Sequence, residues 1–444
     1  MTAASRIAFA LGPVLVGIAV LGLHLFASFN ALDRDVATAK TRVLRAFDRG
    51  ELVENPYQHP STTIGSHQWN DCLITLMAID QRGDRTRLAL SPIIAGFSPP
   101  GSADGNPCAA LKLLVSGATP DAGLYHYDRY VHGAVVALRY LLPHYEISRI
   151  RAMYRRALTG TLIIGFGLCL VGIARGIRVP AFAVLGVTFL ALLRFFGLEY
   201  FSQSLGHGPA DLVIACYAVA IALMLFVSTG PLVAVIAAAV FGGLTVAFEL
   251  FTGGIPLGLA MVLGLSALAV RPDVRPHGIR VALLAATAFV SAATVVYLLK
   301  LFVVAYVADD GVITDILHKL RSYSAAAEGL DTAPLLSQIA GSVGVLVGGM
   351  TLLARSAVAG AIVAGFYGAN WIRRHVEDSS TRQQAALLAI SVLPIPLWFM
   401  VFINQVGNHA WFMDRILVWP IAAGFGLFFL AMTTRGREPH ELRQ

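Results

Sequence analysis

The sequence predicts an all-α polytopic membrane protein with about ten transmembrane helices, a re-entrant segment and one mixed soluble domain after the first helix. Of its 444 residues, 57% are hydrophobic and 13% are charged, whereas about 25% are charged in an average soluble domain. Repeated apolar runs are long enough to cross the roughly 30 Å hydrocarbon core of a bilayer. This composition excludes a soluble enzyme, a disordered scaffold and a nucleic-acid-binding protein.

The first apolar run, residues 7–28, predicts a retained transmembrane helix with a cytoplasmic N-terminus. A signal peptide would have a shorter apolar core and a small-residue cleavage site. Nine more spans are predicted at residues 157–173, 180–197, 210–228, 231–250, 255–270, 281–307, 350–371, 384–403 and 415–432. The Gly-rich run 339–350 is predicted to be re-entrant or interfacial, because another full span would place Arg373 and Arg374 outside.

The distribution of charge predicts which side each loop faces. Residues 31–150 contain 12 Lys and Arg and 12 Asp and Glu, so the net charge of +7 lies elsewhere in the chain. Cytoplasmic loops are enriched in Lys and Arg, so we expect both termini inside and the long neutral segment outside. The predicted organisation is a first helix (1–29), an outer soluble domain (30–156), a multi-helix membrane domain (157–434) and a cytoplasmic tail (435–444).

The outer domain contains several predicted elements. Residues 33–49 have the apolar spacing of an amphipathic helix, and residues 132–142 are also predicted to be helical. Residues 73–78 and 88–94 are short apolar segments that fit either a strand or a helix. Cys72 and Cys108 both lie in this domain, where an oxidising compartment would favour a disulfide between them. Two free buried thiols are the alternative.

Three polar clusters are candidates for chemistry. Asp71 lies beside Cys72, either as a helix N-cap or as a carboxylate held near the membrane surface as a general base or metal ligand. Tyr127, Arg129, Tyr130 and His132 form a second cluster, suited to phosphate and sugar recognition because arginine binds phosphate oxygens in a bidentate manner. The alternative for this second cluster is a packed end of an amphipathic helix. The third cluster precedes the last span and contains Asn404, His409 and Arg415, with a solvated loop as its alternative.

Other charged groups lie near the predicted ends of spans. Ionisable residues inside a membrane are functional candidates by default. Glu249 and Arg355 are expected either to serve a site or to form a structural ion pair. A further group of polar residues lies near one outer helix end and comprises Arg194, Glu199, Tyr200, Gln203 and His207. The outer arginines, expected to hold a lipid phosphate or to reach toward headgroups, are Arg149, Arg151, Arg155 and Arg156.

The chain resembles the GT-C superfamily of membrane glycosyltransferases in its architecture, a long outer loop after the first helix followed by many spans. More locally, Tyr127-x-Arg129-Tyr130-x-His132-Gly133 and Asn404-x4-His409-x5-Arg415 resemble a poorly characterised bacterial subgroup that is viewed as GT-C-like. The Asn70-Asp71-Cys72 stretch fits the same subgroup. The architectural likeness covers most of the chain, whereas these motifs cover about 30 residues.

The resemblance implies an enzyme of a bacterial inner membrane whose active site faces the periplasm. It implies transfer of a sugar, with inversion, from a polyprenyl-phosphate donor to a glycan, lipid or protein acceptor. Asp71 would be the general base, with Asp33 or Asp35 as alternatives. The acidic pair that GT-C enzymes carry soon after the first helix is replaced here by Asp33-Arg34-Asp35. Residues implied to bind the donor are Tyr127, Arg129, Tyr130, His132, Glu199, Asn404, His409 and Arg415.

The bilayer is the remaining expected partner, and no cofactor is assigned. His residues lack metal-ligand spacing, yet a divalent metal stays open. Two other functions compete with the transferase. A transporter or flippase of a lipid-linked sugar would need charges at the bilayer midplane, for which Glu249 and Arg355 are the candidates. A polymerase or ligase of surface polysaccharide would use similar donors but two glycan substrates.

Overall fold

The computed structural model describes most of the chain between Ala3 and Arg435. The described residues are 3–55, 67–94, 105–118, 125–197, 204–227, 229–249, 253–269, 278–308, 311–323, 337, 340, 341, 344, 347, 350, 352–402 and 413–435. Within these ranges the protein is built almost entirely from helices. One antiparallel pair of two-residue strands joins Ile93 to His126 and Ile94 to Tyr125.

The region between the first and second spans contains five short helices and both strands. The elements are α2 (Val36–Asp48), α3 (His67–Ile79), α4 (Arg85–Leu90), β1 (Ile93–Ile94), α5 (Pro107–Val115), β2 (Tyr125–His126) and α6 (Gly133–Leu141). Helix α2 begins after Asp35, whose side chain accepts a hydrogen bond from the Thr38 amide. It buries Ala39, Val43 and Ala46, which agrees with the predicted amphipathic face.

The short apolar segments of this region fold differently from each other. Residues 73–78 lie inside α3, whereas 88–94 divide into the end of α4 and strand β1. A disulfide joins Cys72 of α3 to Cys108 of α5. The predicted domain boundary at residue 156 falls inside a continuous helix, Ile147–Ala174, which carries the chain from this region into the membrane.

Nine helices of the described residues are long and apolar enough to cross a membrane, as expected of a polytopic chain. They belong to α1 (Ala3–Ala31), α7 (Ile147–Ala174), α8 (Val179–Leu192), α9 (Gly208–Val227), α10 (Pro231–Phe248), α12 (Gly278–Val307), α14 (Leu352–His375), the pair α15 (Ser379–Ile390) and α16 (Pro394–Val401), and α17 (Val418–Arg435). The predicted span 255–270 is the shorter helix α11 (Gly254–Ala269). Ten spans therefore stay a prediction, and most of the predicted re-entrant run 339–350 lies outside the described residues.

Helix α10 lies at the centre of one half of the membrane domain. It packs most extensively on α12 and also contacts α1, α9 and α11, while α17 packs on α14 and α8. Gly242 allows the close approach of α10 to α12, because an added Cβ there would overlap the Phe289 carbonyl oxygen. Amphipathic α13 (Gly311–Tyr323) follows α12.

Helices α2–α6 pack against one end of the membrane domain, which we call the loop-side end. Tyr140 of α6 donates a hydrogen bond to the Ala27 carbonyl near the end of α1. Gly133 of α6 lies against Ala247 in the last turn of α10. The segment that precedes α9 is bonded to α3 through Leu205. The ends of α1 and α10 and the beginning of α9 are thus brought together.

Candidate functional site

A buried ion cluster lies at the loop-side end, and it joins three spans. Arg415, which precedes α17, donates through Nη1 to Asp211 Oδ1 of α9 at 2.8 Å. Its Nη2 donates to Glu249 Oε1, directly after α10. All three side chains are almost completely buried. Charges are expensive to bury unless they are paired, so this cluster fixes how the three spans meet.

The cluster contains two carboxylates and one guanidinium, and its second carboxylate oxygens are only partly engaged. Among the described residues, Glu249 Oε2 and Asp211 Oδ2 are buried with no hydrogen-bond partner. His207 approaches Glu249, with Nδ1 3.7 Å from Oε2, a distance too long for a hydrogen bond. Buried acceptors of this kind usually require a donor from water or a ligand. Glu249 is therefore suited to accept a proton.

An apolar groove of about 670 Å³ lies between α6, α7, α9 and α10, two of which also carry residues of the ion cluster. Its volume falls within the roughly 300–1,000 Å³ typical of ligand pockets. Pro209 and Leu212, two residues before and one residue after Asp211, line the groove, as does Phe248, which precedes Glu249. From α9, the lining continues toward the middle of the span through Val213, Cys216, Tyr217 and Ala220. The groove therefore begins at the same ends of α9 and α10 as the ion cluster and follows both spans, but the three cluster residues do not line it.

The predicted phosphate-binding motif forms a turn, residues 127–133, that we call the motif turn. Arg129 lies over the Tyr127 ring, with its guanidinium carbon 4.7 Å from the ring centroid. The Tyr130 ring is 5.3 Å from the Tyr127 ring. Gly133 ends the turn, and a Cβ at this position would lie 2.7 Å from the Ala247 carbonyl oxygen. Gly133 therefore packs against the last turn of α10, two residues before Glu249.

His132 has a structural role within the motif turn. Its backbone is left-handed, with φ at 65°, and it directly precedes α6. Its Nε2 lies 2.5 Å from the Tyr127 carbonyl oxygen, which can only accept, so Nε2 carries the hydrogen. Burial lowers the pKa of His132 well below its ordinary value of 6.5, because desolvation disfavours the charged imidazolium. A neutral His132 closes the turn through this hydrogen bond, and its role in donor binding stays a prediction.

Asp71 lies in a buried network of hydrogen bonds. It lies inside α3 rather than at its start, so it is not an N-cap. Oδ2 accepts from Arg151 Nε at 3.0 Å and Nη2 at 2.7 Å. Oδ1 accepts from the Leu205 amide at 2.7 Å and Ser204 Oγ at 3.0 Å. Since both oxygens are buried and engaged, this geometry favours a structural joint between α3, α7 and the segment that precedes α9, and the general-base role of Asp71 stays a prediction.

The two alternative catalytic carboxylates are also engaged elsewhere. Asp33 is exposed and pairs with Arg85 at 2.6 Å. Asp35 caps α2, and the hydrogen bonds from Thr38 lower the pKa of its carboxyl. Neither lies in the groove or the ion cluster.

The remaining predicted residues divide into three groups. Glu249 pairs with Arg415 instead of Arg355, whose Nε donates to the Met350 carbonyl at 3.1 Å. Of the outer arginines, Arg151 is bound to Asp71, and Arg149 lies over the Tyr145 ring at 5.1 Å. Three predicted donor ligands lie outside the described residues: Glu199, Asn404 and His409.

Two charged residues of this region were not predicted, Asp211 and Lys300. Each is a single ionisable residue inside an apolar run, which is itself the signal that could have identified it. Lys300 of α12 donates to the Asp128 carbonyl in the motif turn. No group of three or more His, Cys, Asp or Glu side chains in the described part of the chain is arranged to hold a metal ion. A divalent metal stays a prediction.

Comparison with protein-family models, with curated proteins and with solved structures finds no match to this chain.

Proposed function

We propose that this chain is a membrane glycosyltransferase that takes a sugar from a polyprenyl-phosphate donor at the loop-side end. The observation that carries the proposal is the apolar groove along α9 and α10, because the loop-side ends of these two helices also hold the buried carboxylates Asp211 and Glu249. A lipid chain has the chemistry to fill a groove that follows membrane spans. The reacting headgroup would then lie beside Glu249 and the motif turn.

Glu249 replaces Asp71 as the proposed general base. Arg415 holds one oxygen of Glu249, which leaves Oε2 to accept the proton of an acceptor hydroxyl. The hydroxyl oxygen bonds to the anomeric carbon as the bond from that carbon to the phosphate oxygen breaks, with inversion. The electron pair leaves with the lipid phosphate, where Arg129 of the motif turn would stabilise the developing charge.

The position of the buried charges favours a transferase over a transporter. Glu249 directly follows the last residue of α10, and Asp211 lies in the first turn of α9. Both are therefore at the end of their spans and not at the bilayer midplane, where a carrier of a charged lipid needs them. A bacterial inner membrane and a periplasm-facing site belong to the same proposal, with the GT-C resemblance as their support.

The proposal is tested in a deletion strain of the source organism. Lipid-linked sugars and surface glycans are measured by mass spectrometry after complementation with wild type, Glu249→Gln or Glu146→Gln. Glu146 is the matched control, since it is a carboxylate paired with Arg42 at 3.1 Å on the loop region. Immunoblots of membranes establish equal amounts of each variant.

We expect Glu249→Gln to leave the glycan incomplete and the donor accumulated, with a loss of activity of about 10²-fold or more. Glu146→Gln should restore the glycan. Full rescue by Glu249→Gln would remove Glu249 from the mechanism. An unchanged glycan in the deletion strain would refute a transferase, and donor trapped on the cytoplasmic leaflet would indicate a flippase.

A further inference from the structure

Lys300 is a buried lysine in a membrane span, close to the end of that span. It lies seven residues before Val307, the last residue of α12, which is about 10 Å along a helix axis. Lysines this close to a span end usually extend toward the interface. Lys300 is instead only 1% exposed, so its ammonium is held inside the protein.

The group that holds Lys300 is the backbone of the motif turn. Its Nζ donates to the Asp128 carbonyl oxygen. The Asp128 carboxylate accepts from Arg87 Nη2 of α4 at 2.7 Å. Asp128 is thereby fixed through its carbonyl by α12, a membrane span, and through its carboxylate by α4, which lies between the first and second spans.

The neighbouring residue of the turn is fixed as well. The Tyr127 amide donates to the Pro92 carbonyl at 3.0 Å, and its own carbonyl accepts from His132. Two consecutive residues thus have their backbone tied immediately before Arg129. Lys300 supplies the only one of these ties that originates in a membrane-spanning helix.

We propose that Lys300 is a positioning residue, which fixes the height and orientation of the motif turn so that Arg129 meets the phosphate of a lipid substrate. The inference rests on the proposed function for its ligand. A phosphate attached to a membrane lipid has a defined depth in the bilayer, so the arginine that binds it must be held relative to the spans. A bond from α12 provides that reference, and bonds within the loop region do not.

The direct test is hydrogen–deuterium exchange of the purified full-length protein in detergent. Lys300→Met removes the donor while keeping an unbranched side chain, and replacing a buried charge by an apolar group is often tolerated. Arg178→Met is the matched control, because Arg178 also donates to a backbone carbonyl, that of Leu268 of α11. Lys300→Gln is a second variant if Lys300→Met does not fold.

We expect the peptide that covers residues 125–133 to exchange about tenfold faster in Lys300→Met, because its anchored backbone opens more often. Arg178→Met should leave this peptide unchanged. Exchange at the wild-type rate in Lys300→Met, or in Lys300→Gln if only that variant folds, would overturn the positioning role.

The second measurement is binding of a polyprenyl monophosphate by native mass spectrometry, with phosphatidylglycerol as the competing anionic lipid. Lys300→Met should weaken binding about tenfold, as Arg129→Ala should. The double variant should lose less than about twofold beyond Arg129→Ala alone, since Lys300 acts through that arginine.

The outcomes separate the two proposals. If wild type binds the polyprenyl monophosphate no better than phosphatidylglycerol, the proposed donor class fails. If wild type binds it selectively and Lys300→Met binds equally well, the donor class stands and the role of Lys300 fails. Additive losses in the double variant would likewise contradict action through Arg129.

Discussion

Replacing Asp71 by Asn separates a structural role from a catalytic one. In the wild type this carboxylate accepts four hydrogen bonds, two of them from Arg151. The asparagine amide has only one acceptor oxygen. Its NH₂ group would therefore face the donors of the second carboxylate oxygen, and Arg151 would lose its counter-charge. Removing one partner of a buried ion pair costs about 3–5 kcal/mol. That is a large share of the roughly 5–15 kcal/mol that stabilises a typical domain.

The assay is the fraction of monodisperse protein that survives stepwise heating in detergent, measured by size-exclusion chromatography. Asp71→Asn should lower the melting midpoint sharply. Asp33→Asn is the matched control, because the Asp33–Arg85 pair is exposed and such pairs contribute about 0–1 kcal/mol. The double variant Asp71→Leu/Arg151→Met should recover much of the stability, since both charges leave together.

A wild-type melting midpoint for Asp71→Asn, combined with lost turnover, would refute this reasoning. Asp71 would then return as the general base, and the four hydrogen bonds would describe a resting state. A lowered midpoint in the double variant equal to that of Asp71→Asn would instead show that the charges are not what stabilises the joint.

Two further predictions concern the motif turn. Gly133→Ala should destabilise the protein by about 1–3 kcal/mol and reduce activity, because its Cβ would lie 2.7 Å from the Ala247 carbonyl oxygen. Gly160 has open space around it, so Gly160→Ala is the control and should change neither the melting midpoint in the same heating assay nor the activity. The pKa of buried His132 is lowered, so as the pH falls the unfolded chain takes up this proton before the folded protein does. The contribution of neutral His132 to the free energy of unfolding is therefore fully present above about pH 6.5 and decreases as the pH drops below it. His132→Asn, which tolerates a positive φ, should therefore lose less stability between about pH 7 and pH 5 than wild type, and an equal loss would contradict the assignment.

The helices could be predicted because their signals are local. Apolar runs of span length identified the membrane helices, and the spacing of Ala39 and Val43 identified the buried face of α2. Residues 73–78 remained undecided between strand and helix, since a short apolar run has no distinguishing period. Capping and the surrounding helices settle that choice.

The candidate site was predicted only in part. The sequence predicted that Arg129 and Arg415 both bind the donor, but their contacts in the structure differ. Arg415 binds two carboxylates, whereas Arg129 lies over an aromatic ring. Motif spacing indicates candidate functional residues. Whether an arginine then faces a ligand or a carboxylate depends on the helices that pack against it.

Composition and hydrophobic length alone determined that this chain is a helical membrane protein with one long polar segment, because the bilayer demands apolar residues over a fixed distance. Only the tertiary structure decided which charges meet. Asp211 and Arg415 are 204 positions apart, and Asp71 and Leu205 are 134 apart. Burial makes an unpaired charge so costly that each finds a partner, but helix packing selects that partner, and no local pattern records it.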